Sequence, residues 1–355
     1  MRVDIKKLCV TEGTPMRDVI SCIDRNEKGI AIVWDSKKRL VATITDGDIR
    51  RAILNKLDLE MPVKRFLSGR PAGFPRPVTA NEHAPDAELL SLMNQKHLRH
   101  IPLLDKEGRL VDLAVMSGLV KEYGLPMKAV VMAGGFGTRL RPYTEKTPKP
   151  MLRVGDKPLL ERIISQLKDA GVTRINVATH YRAEVISKYF GNGKRFGVQI
   201  EYVQEKKPLG TAGALGGLKG THEPVLVLNG DILTNIDFRA MLDFHKDLKA
   251  DMTVGVRQYK FNVPYGVVET DGVDVVRISE KPVMAHFINA GVYLMDPGVF
   301  SFVPKNEQYQ MPDLISRLLK EKKKVVSFPV REYWMDIGQV DDYLKANSDA
   351  KKREV

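Results

Sequence analysis

Apolar and polar positions follow two different periods along the second half of the chain. The run Met127-Lys-Ala-Val-Val-Met132 leads straight into a glycine-rich stretch, which is typical of a buried strand before a tight turn. Further apolar runs predict strands at Ile175–Thr179, Gln199–Val203, Val225–Leu228 and Met252–Val256. Longer amphipathic segments predict helices at Leu159–Ala170, Arg182–Phe190, Gly213–Leu218, Phe238–Lys249 and Pro312–Glu321. This alternation predicts a mostly parallel sheet with helices on both faces, which binds ligands beyond the carboxyl ends of its strands.

The first part of the chain contains an internal repeat with an offset of 70 residues. Asp35 and Asp105 each follow an apolar run, and Arg39-Leu-Val41 recurs as Arg109-Leu-Val111. Each copy has the pattern helix, strand, strand, helix, and a segment rich in proline and glycine joins the two copies. A second boundary at Gly124-Leu-Pro126 separates the repeat from the alternating region.

Composition narrows the classes of protein that fit. The 355 residues carry a net charge of +12, and 43% are hydrophobic, which excludes wholesale disorder. The charge is spread along the chain, so we expect no nucleic-acid binding, and a mild positive field suits phosphate-bearing small substrates. Cys9 and Cys22 are too few for a disulfide framework and too poorly spaced for a zinc site. No apolar run approaches the ~18 residues that cross a bilayer, and the charged N-terminus is no secretory signal. We therefore expect a cytoplasmic protein without membrane association.

The glycine-rich loop after the first predicted strand reads AGGFGTRL in one-letter code. Gly135 and Gly137 fit the first two glycines of a dinucleotide fingerprint, but Leu140 stands where the third belongs, and no Walker lysine follows. Small residues let backbone N–H groups approach phosphate oxygens. Arg139 adds a donor fork, and Lys149 adds a second cation between two prolines. Alone, the loop could be merely a tight strand-to-helix connection; with both cations it predicts a triphosphate site.

The sequence from Ala133, AGGFGTRLRPYTEKTPKPML, closely resembles the signature of sugar-1-phosphate nucleotidyltransferases. The resemblance covers residues 127–347 and continues in order through further segments. These are PLGTAGAL at Pro208–Leu215, LNGD at Leu228–Asp231, YGVVE at Tyr265–Glu269, EKP at Glu280–Pro282, INAGVYL at Ile288–Leu294 and WMDIG at Trp334–Gly338. It implies a Rossmann-like, GT-A-like α/β domain. In such enzymes a sugar-1-phosphate oxygen attacks the α-phosphorus of a nucleoside triphosphate, and pyrophosphate leaves.

Two aspartates at predicted strand ends form the candidate metal site. Asp231 follows the strand Val225–Leu228, and Asp336 follows the strand-like Tyr333–Met335. Either residue alone could be a turn or a helix cap. Together at the ligand edge they supply the hard oxygens that Mg²⁺ prefers, with phosphates and waters completing the shell. The resemblance implies that Asp231 and Asp336 are the metal ligands and that Mg²⁺ is the cofactor.

The resemblance also implies roles around the phosphates and the sugar. Lys149 would neutralise the reacting α-phosphate, and Arg139 would hold the β- and γ-phosphates. Glu280 would bind sugar hydroxyls and Lys281 the sugar phosphate, although these two could instead form an exposed ion pair. The remaining substrate-binding residues implied are Gly134, Gly135, Gly137, Thr138, Gly266, Asn289 and Gly291.

One position bears on the choice of base. Gly210 and Thr211 lie in the loop expected beside the base, and Glu205 stands where relatives that use UTP or dTTP typically carry glutamine. A carboxylate only accepts hydrogen bonds, and guanine offers adjacent N1–H and N2–H donors. Glu205 therefore favours GTP, unless it is a solvated charge beside Lys206 and Lys207.

Residues 1–123 resemble a CBS-domain pair, a regulatory module that often binds adenine nucleotides. The first copy carries Thr45 and Asp48, which match the module's phosphate-binding threonine and ribose-binding aspartate. At an offset of 70 the second copy has Val115 and Gly118, so it has lost both groups. The sequence thus predicts at most one regulatory purine nucleotide. A ligand-free scaffold or dimerisation module is the alternative.

Taken together, we predict an α+β CBS pair at 1–123, a nucleotidyltransferase domain at 127–347 and a polar tail at 348–355. The predicted activity is Mg²⁺-dependent guanylyl transfer from GTP to a hexose-1-phosphate for bacterial surface-glycan synthesis, in a homo-oligomer. The fusion is similar to that of glucosamine-1-phosphate guanylyltransferases, which makes glucosamine-1-phosphate the expected sugar. Mannose-1-phosphate, a heptose-1-phosphate, or an inactive transferase fold that senses nucleotides are the alternatives.

Overall fold

The computed structural model describes residues 4–26, 28–70, 76–96, 98–119, 124–205, 207–218 and 222–352. The chain divides into two units, Met1–Tyr123 and Gly124–Val355. None of the helices in the described ranges has the length and apolar composition needed to cross a bilayer.

The N-terminal unit consists of two similar halves. The first contains β1 (Cys9–Val10), α1 (Met16–Asn26), β2 (Ile30–Trp34), β3 (Leu40–Thr45), α2 (Asp46–Leu54) and α3 (Val63–Ser68). The second contains β4 (Ala80–Asn81), α4 (Asp86–Lys96), β5 (His100–Leu104), β6 (Leu110–Val115) and α5 (Met116–Leu119). The elements α1, β2 and β3 recur 70 residues later as α4, β5 and β6. The predicted repeat is therefore confirmed, with one three-stranded sheet in each half.

The two halves pack together through the turns that the sequence repeat marked. Arg39 and Arg109 form an antiparallel bridge, and the Leu110 N–H donates to the Lys38 carbonyl at 3.1 Å. Beneath this bridge lies a core cluster with residues from both halves. Its buried members are Leu8, Ile30, Ile32, Leu110 and Leu113. Each short sheet has an apolar face that it cannot cover alone, so pairing the halves buries both faces.

The C-terminal unit is an α/β domain. Its helices are α6 (Leu159–Asp169), α7 (Ala183–Phe190), α8 (Gly210–Gly213), α9 (Phe238–Asp247), α10 (Met311–Lys320) and α11 (Val340–Lys351). Its longer strands are β7 (Lys128–Met132), β10 (Arg174–Thr179), β11 (Gln199–Gln204), β12 (Val225–Asn229), β14 (Met252–Asn262), β15 (Val267–Asp271), β16 (Asp274–Ser279), β17 (Val283–Met295) and β18 (Val325–Pro329). Short strands are β8 (Arg153–Val154), β9 (Lys157–Pro158), β13 (Ile232–Thr234) and β19 (Trp334–Asp336).

Seven strands form the central sheet, in the order β11-β10-β7-β12-β17-β14-β18. Only β17 runs antiparallel to its neighbours, so the predicted mostly parallel sheet is confirmed. In β7 at its centre Ala129, Val130 and Val131 are fully or almost fully buried. Helices cover the sheet with apolar faces, as the amphipathic pattern predicted. This stacking brings the carboxyl ends of β7, β10, β11 and β12 to one edge.

The main difference from the predicted elements lies in β14 to β17. We predicted a strand that ends at Val256, but β14 continues to Asn262 and pairs along its length with β17 after a register shift at Val254/Val256. The β15–β16 hairpin was not predicted either. Beyond the shift most side chains are exposed on both faces. A segment that buries neither face has no two-residue apolar period, which is why the pattern missed it.

Two smaller differences concern helix boundaries. The predicted helix Gly213–Leu218 is instead the short α8 followed by a 3₁₀ helix, Ala214–Gly217. Helix α11 runs to Lys351, so the predicted polar tail begins as the last turn of a helix. Residues 353–355 lie outside the described ranges.

Candidate active site

Loops that follow four parallel strands meet at the edge where the sequence placed the ligand. Backbone bonds continue the ladder past the strand ends and fix these loops. Ala133 N–H donates to Ala178 O at 2.8 Å, and Gly230 N–H donates to Met132 O at 2.8 Å. Glu205 N–H donates to Thr179 O at 2.9 Å. The glycine loop, Asp231 and Glu205 are therefore held at one edge by main-chain contacts.

The charged groups predicted to act on phosphate are brought together here. Lys149 Nζ donates to Asp231 Oδ2 at 2.6 Å, and both side chains are at least partly buried. Asp336 lies beside them, because β13 and β19 pair Ile232 with Asp336, and the N–H of Ile337 donates to Asp231 O at 3.0 Å. Burial first, then repulsion from Asp231, raises the pKa of Asp336, against the opposing charges of Lys149 and Arg139. These four charged groups therefore lie within electrostatic reach of one another.

Arg139 borders an open cavity of about 350 Å³ whose other lining residues are Gln339, Val340 and Asp341. Within the described part of the chain its guanidinium has no hydrogen bond or ion pair to protein. Two of the lining residues, Val340 and Asp341, open helix α11. An exposed, unengaged guanidinium can bind a diphosphate oxygen pair in a bidentate manner.

The three glycines of the glycine-rich loop differ in what surrounds the position of a side chain. A Cβ on Gly137, whose φ is +64°, would lie 2.9 Å from Thr144 Cγ2 and 3.1 Å from Lys149 Cβ, so this glycine lets the Lys149 segment approach. A Cβ on Gly134 would lie 3.2 Å from Glu205 Oε1. Gly135 has open space where a side chain would stand. Thr138, at the start of the 3₁₀ helix Thr138–Leu140, is exposed. The backbone of Gly135 and Thr138 is thus accessible to a ligand.

The donor set fits a magnesium ion bound together with substrate. No group of three or more potential His, Cys, Asp or Glu ligands occurs among the described residues. Mg²⁺ is commonly held by one or two carboxylates, with substrate phosphates and waters as the remaining ligands. Asp231 and Asp336 supply those two carboxylates, which adjacent backbone pairing holds side by side.

The residues predicted to bind the sugar lie on the exposed part of β14 to β17. A Cβ on Gly266 would lie 3.1 Å from Glu280 Oε2, so this glycine lies directly beside that carboxylate. Glu280 and Lys281 are both exposed, and no ion pair joins them, so the alternative of an ion pair is wrong. Lys281 has a left-handed φ of +42°. Asn289 Oδ1 accepts from the N–H of Gly291 at 3.0 Å. No described hydrogen bond links this group to the two aspartates.

Glu205 is buried, with 8% of its surface exposed, so the alternative of a solvated charge is wrong. Its Oε2 accepts from the Leu209 N–H at 2.9 Å. Burial raises the pKa of Glu205, opposed by this bond and by His180. Of its two lysine neighbours, Lys207 is exposed and Lys206 lies outside the described residues. The remaining oxygen, Oε1, lies next to Gly134 on the glycine loop.

Sequence reasoning missed a group that supports the Lys149 segment. Arg182, which has a left-handed φ of +50°, follows β10 and contacts the segment that precedes Lys149. Its guanidinium donates to the carbonyls of Glu145 and Lys146 at 3.1 and 3.0 Å, and to the Tyr181 hydroxyl at 3.1 Å. The only local signal was the polar run His180-Tyr-Arg182 after a buried strand.

In the N-terminal unit, Thr45 and Asp48 form a capping box at the start of α2. Thr45 N–H and Oγ1 donate to Asp48 Oδ2 at 2.9 and 3.0 Å. Arg51 donates to Asp48 Oδ1 at 2.8 Å, and Arg70 lies 3.4 Å from Oδ2. The two predicted nucleotide-binding residues are therefore together, but both carboxylate oxygens of Asp48 already have protein partners.

Comparison with known proteins shows the family of each unit. The family model described as nucleotidyl transferase matches residues 128–353, and the CBS-domain model matches residues 2–55 and 74–123. This chain belongs to the nucleotidyl transferase family. Its N-terminal unit is a CBS pair, as the sequence predicted.

Curated relatives of this nucleotidyl transferase include guanylyltransferases for different sugar phosphates. A mannose-1-phosphate guanylyltransferase of Mycobacterium tuberculosis is 35% identical over 228 residues, which cover 62% of this chain and 64% of that protein. The chain thus spans less than two thirds of that relative's length. A D-glycero-alpha-D-manno-heptose 1-phosphate guanylyltransferase of Aneurinibacillus thermoaerophilus is 35% identical over 226 residues, 63% of this chain and 98% of that protein.

A solved structure, HddC from Yersinia pseudotuberculosis, superposes with a TM-score of 0.50 at 27% identity. The match covers 63% of this chain and 99% of that one. It supports the fold assigned to the C-terminal domain.

Proposed function

We propose that this protein is a guanylyltransferase that joins GTP and a sugar-1-phosphate to give a GDP-sugar and pyrophosphate. An oxygen of the sugar phosphate forms a bond to the α-phosphorus, and the bond from that phosphorus to the bridging β-phosphate oxygen breaks. Two polyanions must approach each other, so charge neutralisation and in-line positioning dominate the catalysis. The observation that carries the proposal is the assembly of Lys149, Asp231 and Asp336 beside the glycine loop.

Each charged group has a proposed task. Asp231 and Asp336 would hold Mg²⁺, which when bound supplies charge neutralisation and orients the phosphates. Lys149 stabilises the charge that builds up on the α-phosphate. Arg139 holds the β- and γ-phosphates next to its cavity as pyrophosphate departs. Amides of Gly134, Gly135, Gly137 and Thr138 line the triphosphate.

Base recognition is assigned to Glu205 and the loop that follows it. Glu205 Oε1 accepts from guanine N1–H, and Oε2, which has a second lone pair beside the Leu209 bond, accepts from N2–H. The burial of Glu205 supports this role, because a carboxylate is costly to bury unless donors meet it. The names of the guanylyltransferase relatives support guanine as the base.

The sugar is proposed as glucosamine-1-phosphate, with mannose-1-phosphate and a heptose-1-phosphate as alternatives. The named relatives support the alternatives. Glu280 is exposed and unpaired among the described contacts, so its carboxylate is available for sugar hydroxyls or for the amino group of glucosamine. Lys281 and Asn289 complete the proposed sugar site.

The test is a matrix of substrates with pyrophosphate release as readout. The full-length protein, with Mg²⁺, is assayed with GTP, UTP, dTTP, CTP and ATP against glucosamine-, mannose-, heptose- and glucose-1-phosphate. We expect turnover with GTP and one dominant sugar. Activity only with a pyrimidine triphosphate would contradict the base assignment. No pyrophosphate from any pair would favour the inactive, nucleotide-sensing alternative.

For the CBS pair we propose one regulatory purine nucleotide per chain, bound at Thr45 and Asp48. The guanidinium groups of Arg51 and Arg70, which contact Asp48, would place positive charge beside a bound phosphate. Calorimetry of the full-length protein with ATP, ADP and AMP should give one site that Asp48→Ala weakens and Glu205→Gln leaves intact. Absence of heat would favour a scaffold, and two equal sites would contradict the assignment of the second copy.

A further inference from the structure

Residues 304–310, which are distant in sequence, pack against the 209–213 loop that is proposed to contact the base. Three glycines, spaced three residues apart, face residues 304–310 at backbone distance. A Cβ on Gly210 would lie 2.7 Å from Tyr309 O, one on Gly213 would lie 2.5 Å from Glu307 O, and one on Gly216 would lie 2.6 Å from Pro304 O. These glycines are therefore required by packing, because any side chain there would push the two segments apart.

Gln310 forms the centre of the contact between these segments. Its Oε1 accepts from both Thr211 N–H at 3.2 Å and Thr211 Oγ1 at 3.1 Å. The same hydroxyl accepts from Met311 N–H at 2.8 Å. Thr211, predicted to bind substrate, thus has its amide and its hydroxyl engaged with protein.

The neighbouring amides of the loop are also engaged. Ala212 N–H and Gly213 N–H donate to Tyr309 O at 3.0 and 3.1 Å, and Tyr309 N–H donates to Leu209 O at 2.9 Å. Leu209 N–H is bound by Glu205. Between 209 and 213, Gly210 N–H is the amide for which the described residues show no protein partner.

Among the described residues, this leaves the N–H of Gly210 and the Oε1 of Glu205 for a ligand, and the Oε2 of Glu205 keeps a lone pair beside its bond from Leu209 N–H. The Gly210 N–H and Glu205 Oε1 match the O6 acceptor and the adjoining N1–H donor of guanine, and the second oxygen of Glu205 adds the acceptor for N2–H, which pyrimidines lack. Gly210 N–H and Glu205 Oε1 can bind the base only if the loop keeps its conformation. The hydrogen bonds between the loop and residues 309–311 fix that conformation and so fix the direction in which these two groups point.

We propose that Gln310 is a positioning residue for base recognition: it fixes the 209–213 loop through Thr211, so that Gly210 N–H and Glu205 Oε1 face the base. The proposal rests on the proposed function in one respect, that this loop contacts the base. Gln310 itself touches no substrate.

The test compares side chains that keep or remove the acceptor at position 310. Gln310→Met preserves length without an oxygen, and Gln310→Glu keeps the acceptor. Gln308→Met is the matched control, because Gln308 is exposed and two residues away. For each full-length variant, the nucleotide Kd is measured by calorimetry with whichever triphosphate the wild type binds best, together with the KM for the sugar phosphate.

Loss of two hydrogen bonds to one oxygen should weaken nucleotide binding by about tenfold in Gln310→Met. The KM for the sugar phosphate and the Gln308→Met control should stay within about twofold of wild type, and Gln310→Glu should recover most of the affinity. Thr211→Val keeps the backbone bond to Gln310 and removes the two bonds of the hydroxyl, to Gln310 Oε1 and from Met311 N–H. It should weaken nucleotide binding as well, and because the two substitutions share the bond between Thr211 Oγ1 and Gln310 Oε1, the double variant should lose less affinity than the sum of the two single effects.

Three results would overturn the proposal: nucleotide affinity equal in Gln310→Met and Gln308→Met, an equal rise in the KM for the sugar phosphate, or additive effects of the Thr211 and Gln310 changes. A wild type that binds UTP rather than GTP would refute the guanine assignment alone. The comparison of Gln310 variants would then still decide whether Gln310 positions the loop.

Discussion

The two ends of the proposed nucleotide site are built in opposite ways. At the phosphate end, the groups are charged, and not every charge has a partner of opposite sign. Lys149 is paired with Asp231, Arg139 has no ion pair among the described residues, and the pKa of Asp336 is raised. At the base end, almost every amide from Leu209 to Gly213 is bonded to protein. The phosphate end thus depends on charged groups that are neutralised only when substrate binds. The base end depends on a loop whose backbone amides are already hydrogen-bonded to protein.

This contrast predicts how similar substitutions will differ. A carboxylate changed to an amide at the phosphate end removes a charge from the reaction itself. The same change at the base end alters one or two hydrogen bonds to a group that does not react. The first should abolish turnover for all nucleotides, and the second should change the choice between nucleotides.

The largest effect is expected for the two aspartates. Asp231→Asn and Asp336→Asn should each lower kcat by roughly 10³-fold or more with every triphosphate, since each removes a charge from the proposed metal site. EDTA should have the same effect on the wild type, and Asp271→Asn, an exposed control in the β15–β16 hairpin, should be unaffected. Near-normal turnover in either variant would remove that residue from the mechanism.

An intermediate effect is expected for Arg182, which supports the phosphate end through the backbone. Arg182→Lys cannot span two carbonyls, so the Lys149 segment should loosen and kcat should fall about tenfold. Arg195→Lys is the matched control, because Arg195 also donates to a carbonyl and lies over a tyrosine ring. Equal rates for the two variants would show that the hydrogen bonds from Arg182 to the carbonyls of residues 145 and 146 do not affect catalysis.

The smallest effect is a pH dependence confined to the base end. Because burial raises the pKa of Glu205, its carboxylate protonates at a higher pH than an exposed glutamate. Only the ionised form accepts both guanine donors, so the KM for GTP should rise as the pH falls through this raised pKa. Glu205→Gln should remove that dependence, and a KM for GTP that keeps the wild-type pH profile in the variant would assign the titration to another group.

The sequence predicted the parts of the fold that carry local patterns. β7, β10 and β12 are short, mostly buried runs, and β11 is a partly exposed edge strand. The polar residues that follow these strands, such as Asp231, could be placed at one edge from topology alone. The CBS repeat was visible because its turns recur at a constant offset. The cytoplasmic location, the homo-oligomer and the domain limits stay predictions.

Contacts between distant segments could not be predicted. Gln310 lies 99 residues from Thr211, and nothing in the sequence around either residue marks the bond. The PLGTAGAL glycines were associated with the base, but their spacing reflects the packing of residues 304–310 against them. Arg182 was hidden for the same reason, since its partners are backbone carbonyls, which any residue provides.

The most direct test of the account is the ratio of kcat/KM for GTP to kcat/KM for UTP, measured with one fixed sugar-1-phosphate in the wild type and in Glu205→Gln. The wild type should prefer GTP. In the variant, GTP efficiency should fall by roughly 10- to 100-fold while UTP efficiency falls less or rises, because an amide meets guanine with a donor. An unchanged ratio would contradict base reading by Glu205, and a wild type that prefers UTP would contradict the guanylyltransferase itself.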